Sequence, residues 1–271
     1  AACEKGKKTR SSFKSKENFS ITKPFHLLHM DLFGPVATLG LRSERFALVI
    51  VDEFSRYTWV FLLRSKSDAA GEIISFINEM DRLNDNVVKQ LRSDHGPEFR
   101  NHVLEDFCIT KGISQNFSAV RTPEQNGVAE RRNRTLIEAA RTLLISSDLG
   151  KGFWTEAIRT ACYTQNRTTI IARHNKTSYE LLTLKKPTLA YFHVFGCKCF
   201  ILNQEDNLGK FDAKADDGYF VGYSIISAAY MVYNLRKKIV EETIHVSFDE
   251  SKTTLEDLVP NADQFNFNDL R

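Results

Sequence analysis

Three carboxylates of this 271-residue chain occupy positions from which they could form one chemical site. Asp31 lies within an apolar, strand-like run, Asp94 follows another such run, and Glu130 lies on the core side of an amphipathic helix, at its N-terminal end. The ends of adjacent strands converge where helices pack on a sheet, so the three side chains could share one site. Converging carboxylates repel one another unless cations lie between them, and hard oxygen ligands with open positions suit Mg²⁺ or Mn²⁺. Two such ions would activate an attacking oxygen and stabilise a leaving oxygen in phosphodiester displacement.

Each carboxylate also has an ordinary explanation. Asp94 precedes a His-Gly-Pro sequence, which is typical of a turn. Glu130 could pair with Arg134 as an i,i+4 surface couple. Asp31 is harder to dismiss, because a charge inside an apolar strand costs free energy unless it is paired or binds a metal. Periodicity alone does not join the three residues into a site.

The order of elements predicts a mixed α/β sheet flanked by helices. Three strand-like runs come first, followed by a helix, a strand, a helix, a strand and further helices. Ser67 is the expected N-cap of the first helix. The predicted strands cover residues 26–33, 45–52, 57–63, 86–92 and 113–117, and the predicted helices cover residues 68–83, 101–111, 123–150, 153–166 and 178–184.

The helix that carries Glu130 starts from a turn signal. Pro123 suits the first turn of a helix, because its φ is fixed and its missing N–H has no partner there. Gly127 would weaken a helix start, so close approach of the backbone to a ligand is one explanation. The apolar residues that follow predict one buried stripe, formed by Leu136, Ile137, Ala140, Leu143 and Leu144.

From Phe192 the sequence changes character. Five short strand-like runs, separated by polar turns, occupy residues 197–202, 218–223, 229–233, 238–242 and 244–248. This spacing predicts a small β-barrel. Cys197 and Cys199 are expected to be buried strand residues that face the same way, because no second Cys/His pair at zinc spacing is nearby.

The distribution of charge and the number and placement of cysteines indicate what class of protein this is. The net charge is +3, but residues 1–25 form a basic arm and residues 249–271 an acidic tail. A basic arm suits nucleic acid, and a solvated charge run is the competing interpretation. The five cysteines are odd in number and scattered, which favours reduced thiols in an intracellular protein. No run is apolar and long enough to span a membrane, and no secretory signal is present.

Eight segments resemble one known family. They are HMDLFGP, FALVIVDEFSRYTWVFLL, LRSDHGPEF, TPEQNGVAERRNRTL, FWTEA, FHVFGCKCFI, KFDAKADDGYFVGYS and HVSFDES. In this order they resemble the integrase region of copia-type LTR retrotransposon polyproteins, especially those of plants. The likeness runs from about Cys3 to Ser251. The 35 residues between Asp94 and Glu130 match the spacing of the family's DDE motif.

The resemblance implies both a fold and a set of domains. The core would be a ribonuclease H-like mixed sheet flanked by helices, followed by a small SH3-like β-barrel. The implied organisation is a basic arm at 1–23, a catalytic core at 24–186, the SH3-like module at 192–250 and an acidic tail at 251–271. Cys3 matches only the last ligand of the family's N-terminal zinc module. The chain starts at Ala1, so we expect a piece of a longer polyprotein that does not bind that zinc.

The resemblance also implies an activity. Asp31, Asp94 and Glu130 match the catalytic residues, which bind two Mg²⁺ or Mn²⁺ ions. The expected reaction is 3′-end processing of the element's cDNA and its strand transfer into target DNA. The enzyme would be a polynucleotidyl transferase and endonuclease that acts as a homo-multimer, in the cytoplasm first and then in the nucleus.

Residues around Glu130 are expected to contact DNA. The predicted contacts come from Gln125, Asn126, Arg131, Arg132 and Arg134. Helix capping by Asn126 and a solvated basic face are the competing interpretations. A degenerate remnant that binds nucleic acid without catalysis is the alternative function, and a cellular ribonuclease of similar fold is a weaker third, because the helix with Glu130 and the barrel have no place in it.

Overall fold

The computed structural model describes residues 21–83, 87–118, 126–203, 210–211 and 213–251. The basic arm with Cys3, the acidic tail beyond Ser251, Pro123 and Gln125 therefore lie outside the described residues. Two five-stranded sheets and a two-stranded hairpin are present in these ranges. The described helices include none that is long and apolar enough to cross a membrane.

The first sheet is mixed, as predicted. Its strands are β1 (Leu27–Phe33), β2 (Phe46–Asp52), β3 (Thr58–Leu63), β4 (Gln90–Ser93) and β5 (Ser114–Phe117), and their order is β3-β2-β1-β4-β5. The first three strands are antiparallel neighbours, whereas β4 runs parallel to β1 and β5 runs parallel to β4. Strand β1 is thus central, with four fully buried residues at its start.

Five α-helices flank this sheet. They are α1 (Ala69–Leu83), α2 (His102–Lys111), α3 (Gly127–Ser147), α4 (Trp154–Thr168) and α5 (Ser178–Thr183). The predicted N-cap at Ser67 is wrong, because Ser65 and Asp68 form a capping box around the 3₁₀ turn that leads into α1. Helix α2 is capped by Asn101 and ends at Gly112, which adopts a left-handed conformation with φ 68°.

A two-stranded hairpin that the sequence did not indicate follows α4. It pairs β6 (Ile170–Ile171) with β7 (Lys176–Thr177). Each strand has two residues, too few for any alternation of polar and apolar side chains to show. The hairpin positions Arg173 and His174 against the turn between β2 and β3.

The second sheet is antiparallel. Its strands are β8 (Lys198–Leu202), β9 (Ala215–Tyr223), β10 (Tyr230–Asn234), β11 (Ile239–Thr243) and β12 (Val246–Asp249), in the order β11-β10-β9-β8-β12. Within the described residues β11 and β12 are unpaired edges, so the sheet does not close into the predicted barrel. Cys197 and Cys199 are buried free thiols, as expected.

Helix α4 packs against both sheets. One cluster of buried side chains contains Ala47 of the first sheet, Trp154 and Ile158 of α4, and Val221 of the second sheet. The Thr160 hydroxyl donates a 3.0 Å hydrogen bond to the carbonyl of Val221. The two halves of the chain therefore share a hydrophobic core across this helix.

Candidate active site

Asp31 on β1 and Asp94, just past β4, belong to two adjacent parallel strands and are near enough for the Asp94 charge to raise the pKa of Asp31. The observed pairs Leu27–Gln90 and Leu28–Leu91 fix a register offset of 63 residues, since 90 − 27 = 63. The observed pairs end at His29–Arg92; the difference 94 − 31 is also 63, so this register, if continued one residue past the end of β4, would bring Asp94 opposite Asp31. Paired residues of parallel strands point to the same face of the sheet.

Asp31 is held by two neutral donors. Its Oδ2 accepts a 2.6 Å hydrogen bond from Asn133 Nδ2, and its Oδ1 accepts one of 3.0 Å from the backbone N–H of Leu32. The pKa of Asp31 is raised to about 6, chiefly by burial and also by the negative charges of Asp94 and Glu130, against the lowering effect of the hydrogen bonds from Asn133 and Leu32. Asp94 and Glu130 are thus both near enough to Asp31 for their charges to act on it.

Glu130 lies on a different face of α3 from the one predicted. Its side chain is exposed, whereas the side chains of Ala129, Asn133 and Leu136 face the core. The buried stripe is rotated because it includes a polar residue, Asn133, which hydrophobic periodicity passes over. Asn133 lies one helical turn after Glu130, so the helix presents the carboxylate beside the Asp31–Asn133 pair.

The donor set suits a hard divalent cation. Asp31 is a largely buried carboxylate with two acidic neighbours, and such a group is stabilised by a cation between the charges. No group of three or more His, Cys, Asp or Glu side chains has metal-binding geometry among the residues that the structure describes. The oxygen donors of Asp31, Asp94 and Glu130 match the ligand preference of Mg²⁺ or Mn²⁺, but these side chains would have to move closer together to hold one ion.

Asp94 is oriented by its own loop. Its Oδ1 accepts a 3.0 Å hydrogen bond from the N–H of Gly96, the local contact expected of an aspartate in a turn. The Ser93 hydroxyl donates to the Asp94 carbonyl at 3.0 Å. The turn interpretation and the site interpretation of Asp94 are thus compatible, because the turn fixes the carboxylate at the strand end.

Asn126 anchors the start of α3 to the central strand. It is fully buried, and its Nδ2 donates a 3.1 Å hydrogen bond to the carbonyl of Met30. Its side chain does not cap the helix, and Oδ1 has no hydrogen-bond partner among the described residues. A buried anchor is poorly placed for DNA, so contact by Asn126 stays a prediction that requires local opening. Gln125 lies outside the described residues.

The three predicted DNA-binding arginines of α3 have different environments. Arg132 is largely buried and donates to Thr58 Oγ1 at 2.7 Å and to Gln165 Oε1 at 3.0 Å, so it joins α3 to β3 and α4. Arg131 and Arg134 are exposed, and Arg134 lies 3.8 Å from Glu138 in an i,i+4 pair. Arg131 and Arg134 are exposed in this conformation, whereas contact of Arg132 with DNA stays a prediction that requires its hydrogen bonds to Thr58 and Gln165 to open.

Asn133 is the site residue that sequence reasoning missed. Its only signal is a polar residue inside the apolar stripe, three residues after Glu130. Such a residue is costly unless its hydrogen bonds are satisfied. Here the charge-assisted bond to Asp31 satisfies Nδ2, while the buried Oδ1 has no hydrogen-bond partner among the described residues.

Two family models match the chain. The model described as "Integrase core domain" matches residues 21–123, and the one described as "Retroviral polymerase SH3-like domain" matches residues 197–260. The first covers β1 to β5 with Asp31 and Asp94, and the second covers the antiparallel sheet. Together they account for both halves of the fold.

Curated relatives are plant retrotransposon polyproteins. The chain is 31% identical over 250 residues to the retrovirus-related Pol polyprotein from transposon TNT 1-94 of Nicotiana tabacum, with 92% of this chain and 19% of that protein covered. It is 30% identical over 237 residues to the polyprotein from transposon RE2 of Arabidopsis thaliana, with 87% and 16% covered. The chain spans about a fifth of the length of the curated relatives it matches.

Among solved structures, the chain is similar to retroviral integrase cores. The catalytic core domain of HTLV-2 integrase in complex with magnesium, in a trimeric form, has a TM-score of 0.44 and 20% identity, with 59% of this chain and 97% of that chain covered. The core domain of BIV integrase has a TM-score of 0.43 and 22% identity, with 59% and 95% covered. The chain thus carries an integrase core domain and a retroviral SH3-like domain, and it is similar to the Pol polyproteins of plant copia-type retrotransposons.

Proposed function

We propose that this chain is a metal-dependent integrase that processes the 3′ ends of element cDNA and joins them to target DNA. The observation that carries the proposal is that the charges of Asp94 and Glu130 act on Asp31, where β1 and β4 run parallel and Asn133 of the Glu130 helix binds Asp31. Carboxylates from three separate elements that repel one another are a costly arrangement in a structural protein. Coordination of Mg²⁺ or Mn²⁺ would offset that cost.

The reaction would consist of two displacements at phosphorus. In the first, a water oxygen loses a proton and bonds to a phosphorus near the 3′ end of the cDNA, while the bond from that phosphorus to the 3′-oxygen of the retained strand breaks. This leaves a free 3′-hydroxyl on the cDNA and a 5′-phosphate on the departing nucleotide. In the second, that hydroxyl loses its proton and bonds to a phosphorus of target DNA, while the target's own 3′-oxygen leaves. The bound ions would supply charge neutralisation at the attacking and leaving oxygens.

Different residues of the site would hold the metal ions, orient Asp31 and contact the DNA. Asp31, Asp94 and Glu130 would hold the ions, since carboxylates are the ligands that Mg²⁺ prefers. Asn133 would orient Asp31, and Arg131 and Arg134 would contact the DNA backbone. Two HTLV-2 core structures are titled as complexes with magnesium, in trimeric and dimeric forms. We propose that this chain also uses magnesium and forms a homo-multimer. We further propose that its partner is DNA and that integration takes place in the nucleus.

The test is joining of a labelled oligonucleotide with the element's terminal sequence to plasmid DNA, with Mg²⁺ or Mn²⁺. We expect joining by the wild type and its loss in Asp31→Asn, Asp94→Asn and Glu130→Gln. Glu138→Gln is the matched control, because Glu138 is an exposed glutamate of the same helix, and it should keep the wild-type rate. Joining that survives all three changes would refute the proposal.

The alternative is a remnant that binds nucleic acid without catalysis. It predicts salt-sensitive DNA binding and no joined product with either metal, even in the complete polyprotein context. The same assay separates the two functions, since only the integrase needs the carboxylates.

A further inference from the structure

A partly open cavity of about 110 Å³ lies between the carboxyl end of β1 and the helices α3 and α4. The segment that directly follows β1, from Gly34 to Val36, lines it together with residues of the two helices. An engineered apolar cavity of ~150 Å³ binds benzene. Because the present cavity also opens to solvent, it has room for one six-membered ring whose substituent lies at the mouth.

The lining of this cavity is almost entirely apolar. The indole N–H of Trp154 donates a 3.0 Å hydrogen bond to the carbonyl of Thr38, so the polar atom of that ring is satisfied and the ring is fixed. The Phe33 ring lies edge-on to it, with 6.3 Å between the centroids. Both rings suit an aromatic guest. One cluster of buried side chains supplies most of the remaining lining: Val36, Ala140, Leu144 and Ile158.

Arg141 of α3 is the charged residue of this lining. Its Nε is buried from solvent and has no hydrogen-bond partner among the described residues. No ion pair joins its guanidinium to a carboxylate in the described part of the chain. A buried donor without an acceptor is costly and indicates a partner that is not part of the chain. A carboxylate at the mouth of the cavity would accept from Nε and from the rest of the planar guanidinium fork.

The rim of the cavity is firmly held. Gly34 has φ +120°, and a Cβ at this position would lie 2.5 Å from the carbonyl oxygen of Arg45. The backbone that follows β1 is therefore packed directly against the start of β2 and needs glycine here. A cavity with such a rim is largely formed before a ligand binds, so little conformational freedom is lost on binding.

We propose that this cavity binds a small aromatic carboxylate, with its single ring against Val36, Leu144 and Trp154 and its carboxylate on Arg141. A nucleobase fits less well, because the lining residues that the structure describes offer its polar edge no side-chain partner other than Arg141. A neutral ring would leave Arg141 Nε without an acceptor. The site requires neither metal nor DNA, so it goes beyond the proposed function.

The test is the binding of 4-fluorobenzoate to the complete chain in metal-free buffer, followed by fluorine NMR of the ligand. 4-Fluorobenzamide is the neutral probe of nearly the same shape, and fluoroacetate carries the carboxylate without the ring. We expect saturable binding of 4-fluorobenzoate and affinities at least about tenfold lower for the other two probes. The reason is that the amide lacks the charge-assisted contact and fluoroacetate lacks the buried ring.

Variants of the lining locate the bound ligand. Arg141→Gln should weaken binding of 4-fluorobenzoate at least about tenfold and leave that of 4-fluorobenzamide unchanged. The matched control is Arg82→Gln, the same chemical change at an exposed arginine of α1 outside the cavity, and it should keep the wild-type affinity. Ile137→Trp introduces a large side chain at a half-buried lining position, so it should abolish binding of both ring probes.

Four results would overturn the proposal. The first is the absence of saturable binding of 4-fluorobenzoate by the wild type, and the second is equal affinity for the acid and either of the other probes. The third is an unchanged affinity in Arg141→Gln or Ile137→Trp protein with native circular dichroism. The fourth is an equal loss in Arg82→Gln, which would reduce the effect to net charge. None of these results bears on metal-dependent joining of DNA, so the site and the integrase can each fail without the other.

Discussion

Asn133 Nδ2 donates a hydrogen bond of 2.6 Å to Asp31 Oδ2, and this contact joins the helix of Glu130 to the strand of Asp31. A donor to an ionised carboxylate stabilises the charged form, which is the form that binds metal. The bond also fixes which oxygens of Asp31 remain available. The rigidity of the site therefore depends on a neutral side chain that takes no part in the chemistry.

Asn133→Ala removes that bond, so we expect a tenfold or larger loss of joining rate and a higher Mg²⁺ concentration for half-maximal activity. Misplacement of a catalytic group by about 1 Å costs on the order of 10²-fold in rate. Thr142→Ala, an exposed change on the same helix, is the control. An Asn133→Ala protein with wild-type metal dependence would show that Asp31 is positioned without it.

Asp31→Asn is expected to stabilise the metal-free protein near neutral pH. The folded pKa of about 6 lies above the ordinary value of 3.8, so between these values the folded state keeps a proton that the unfolded state has lost. The contribution of the Asp31 carboxyl to the free energy of unfolding therefore falls as pH rises from about 4 to 6. At ~1.4 kcal/mol per pKa unit, the rise from 3.8 to about 6 predicts that the variant gains about 3 kcal/mol at pH 7.5 and little at pH 4.

Urea unfolding in EDTA at the two pH values measures this gain. The expected free energy difference between Asp31→Asn and wild type is large at pH 7.5 and small at pH 4. Equal differences at both values would mean that Asp31 titrates normally in the folded protein. Addition of Mg²⁺ at pH 7.5 should raise the stability of the wild type more than that of the variant.

Arg132→Ala should destabilise the fold, while Arg134→Ala should not. Arg132 donates to Thr58 and Gln165 in the interior, and its removal leaves buried acceptors without a donor, at a cost of about 2–3 kcal/mol. Arg134 pairs with Glu138 in solvent, a contact worth about 0–1 kcal/mol. Chemical denaturation of the two variants checks the contrast. Similar midpoints for both would contradict the structural assignment of Arg132.

Gly222→Ala should loosen the contact between α4 and the second sheet. Gly222 has φ +153°, and a Cβ there would lie 2.8 Å from Thr160 Oγ1. The strain and the clash predict a loss of about 1–3 kcal/mol in the free energy of unfolding. Gly71→Ala is the control, since a Cβ there meets nothing within 4 Å and alanine favours a helix, with a gain of about 0.5–1 kcal/mol. Equal effects of the two changes would contradict this account of the interface.

The strands of the first sheet were predictable from sequence, but their pairing was not. β2 and β3 start and end within one residue of the prediction, because β-branched and aromatic residues mark them clearly. The alignment of Asp31 with Asp94 depends on a pairing between segments 63 residues apart. No local pattern encodes that register, so the resemblance had to suggest that the two residues meet.

The errors have local physical causes. The predicted cap at Ser67 is wrong because two serines precede the helix and Asp68 completes a capping box with Ser65. Glu130 was assigned to the core side because hydrophobic periodicity does not count Asn133 as a buried residue. The open second sheet was not foreseeable, since strand spacing alone does not determine whether the edge strands pair.

A crystal structure of the protein with Mn²⁺ and a duplex of the element's end tests the central claim most directly. Anomalous scattering locates Mn²⁺ independently of the protein density. The account predicts two peaks near the carboxyl end of β1, both bound by Asp31, with Asp94 on one and Glu130 on the other. Manganese bound elsewhere, or carboxylates too far apart to share an ion in the DNA complex, would contradict it.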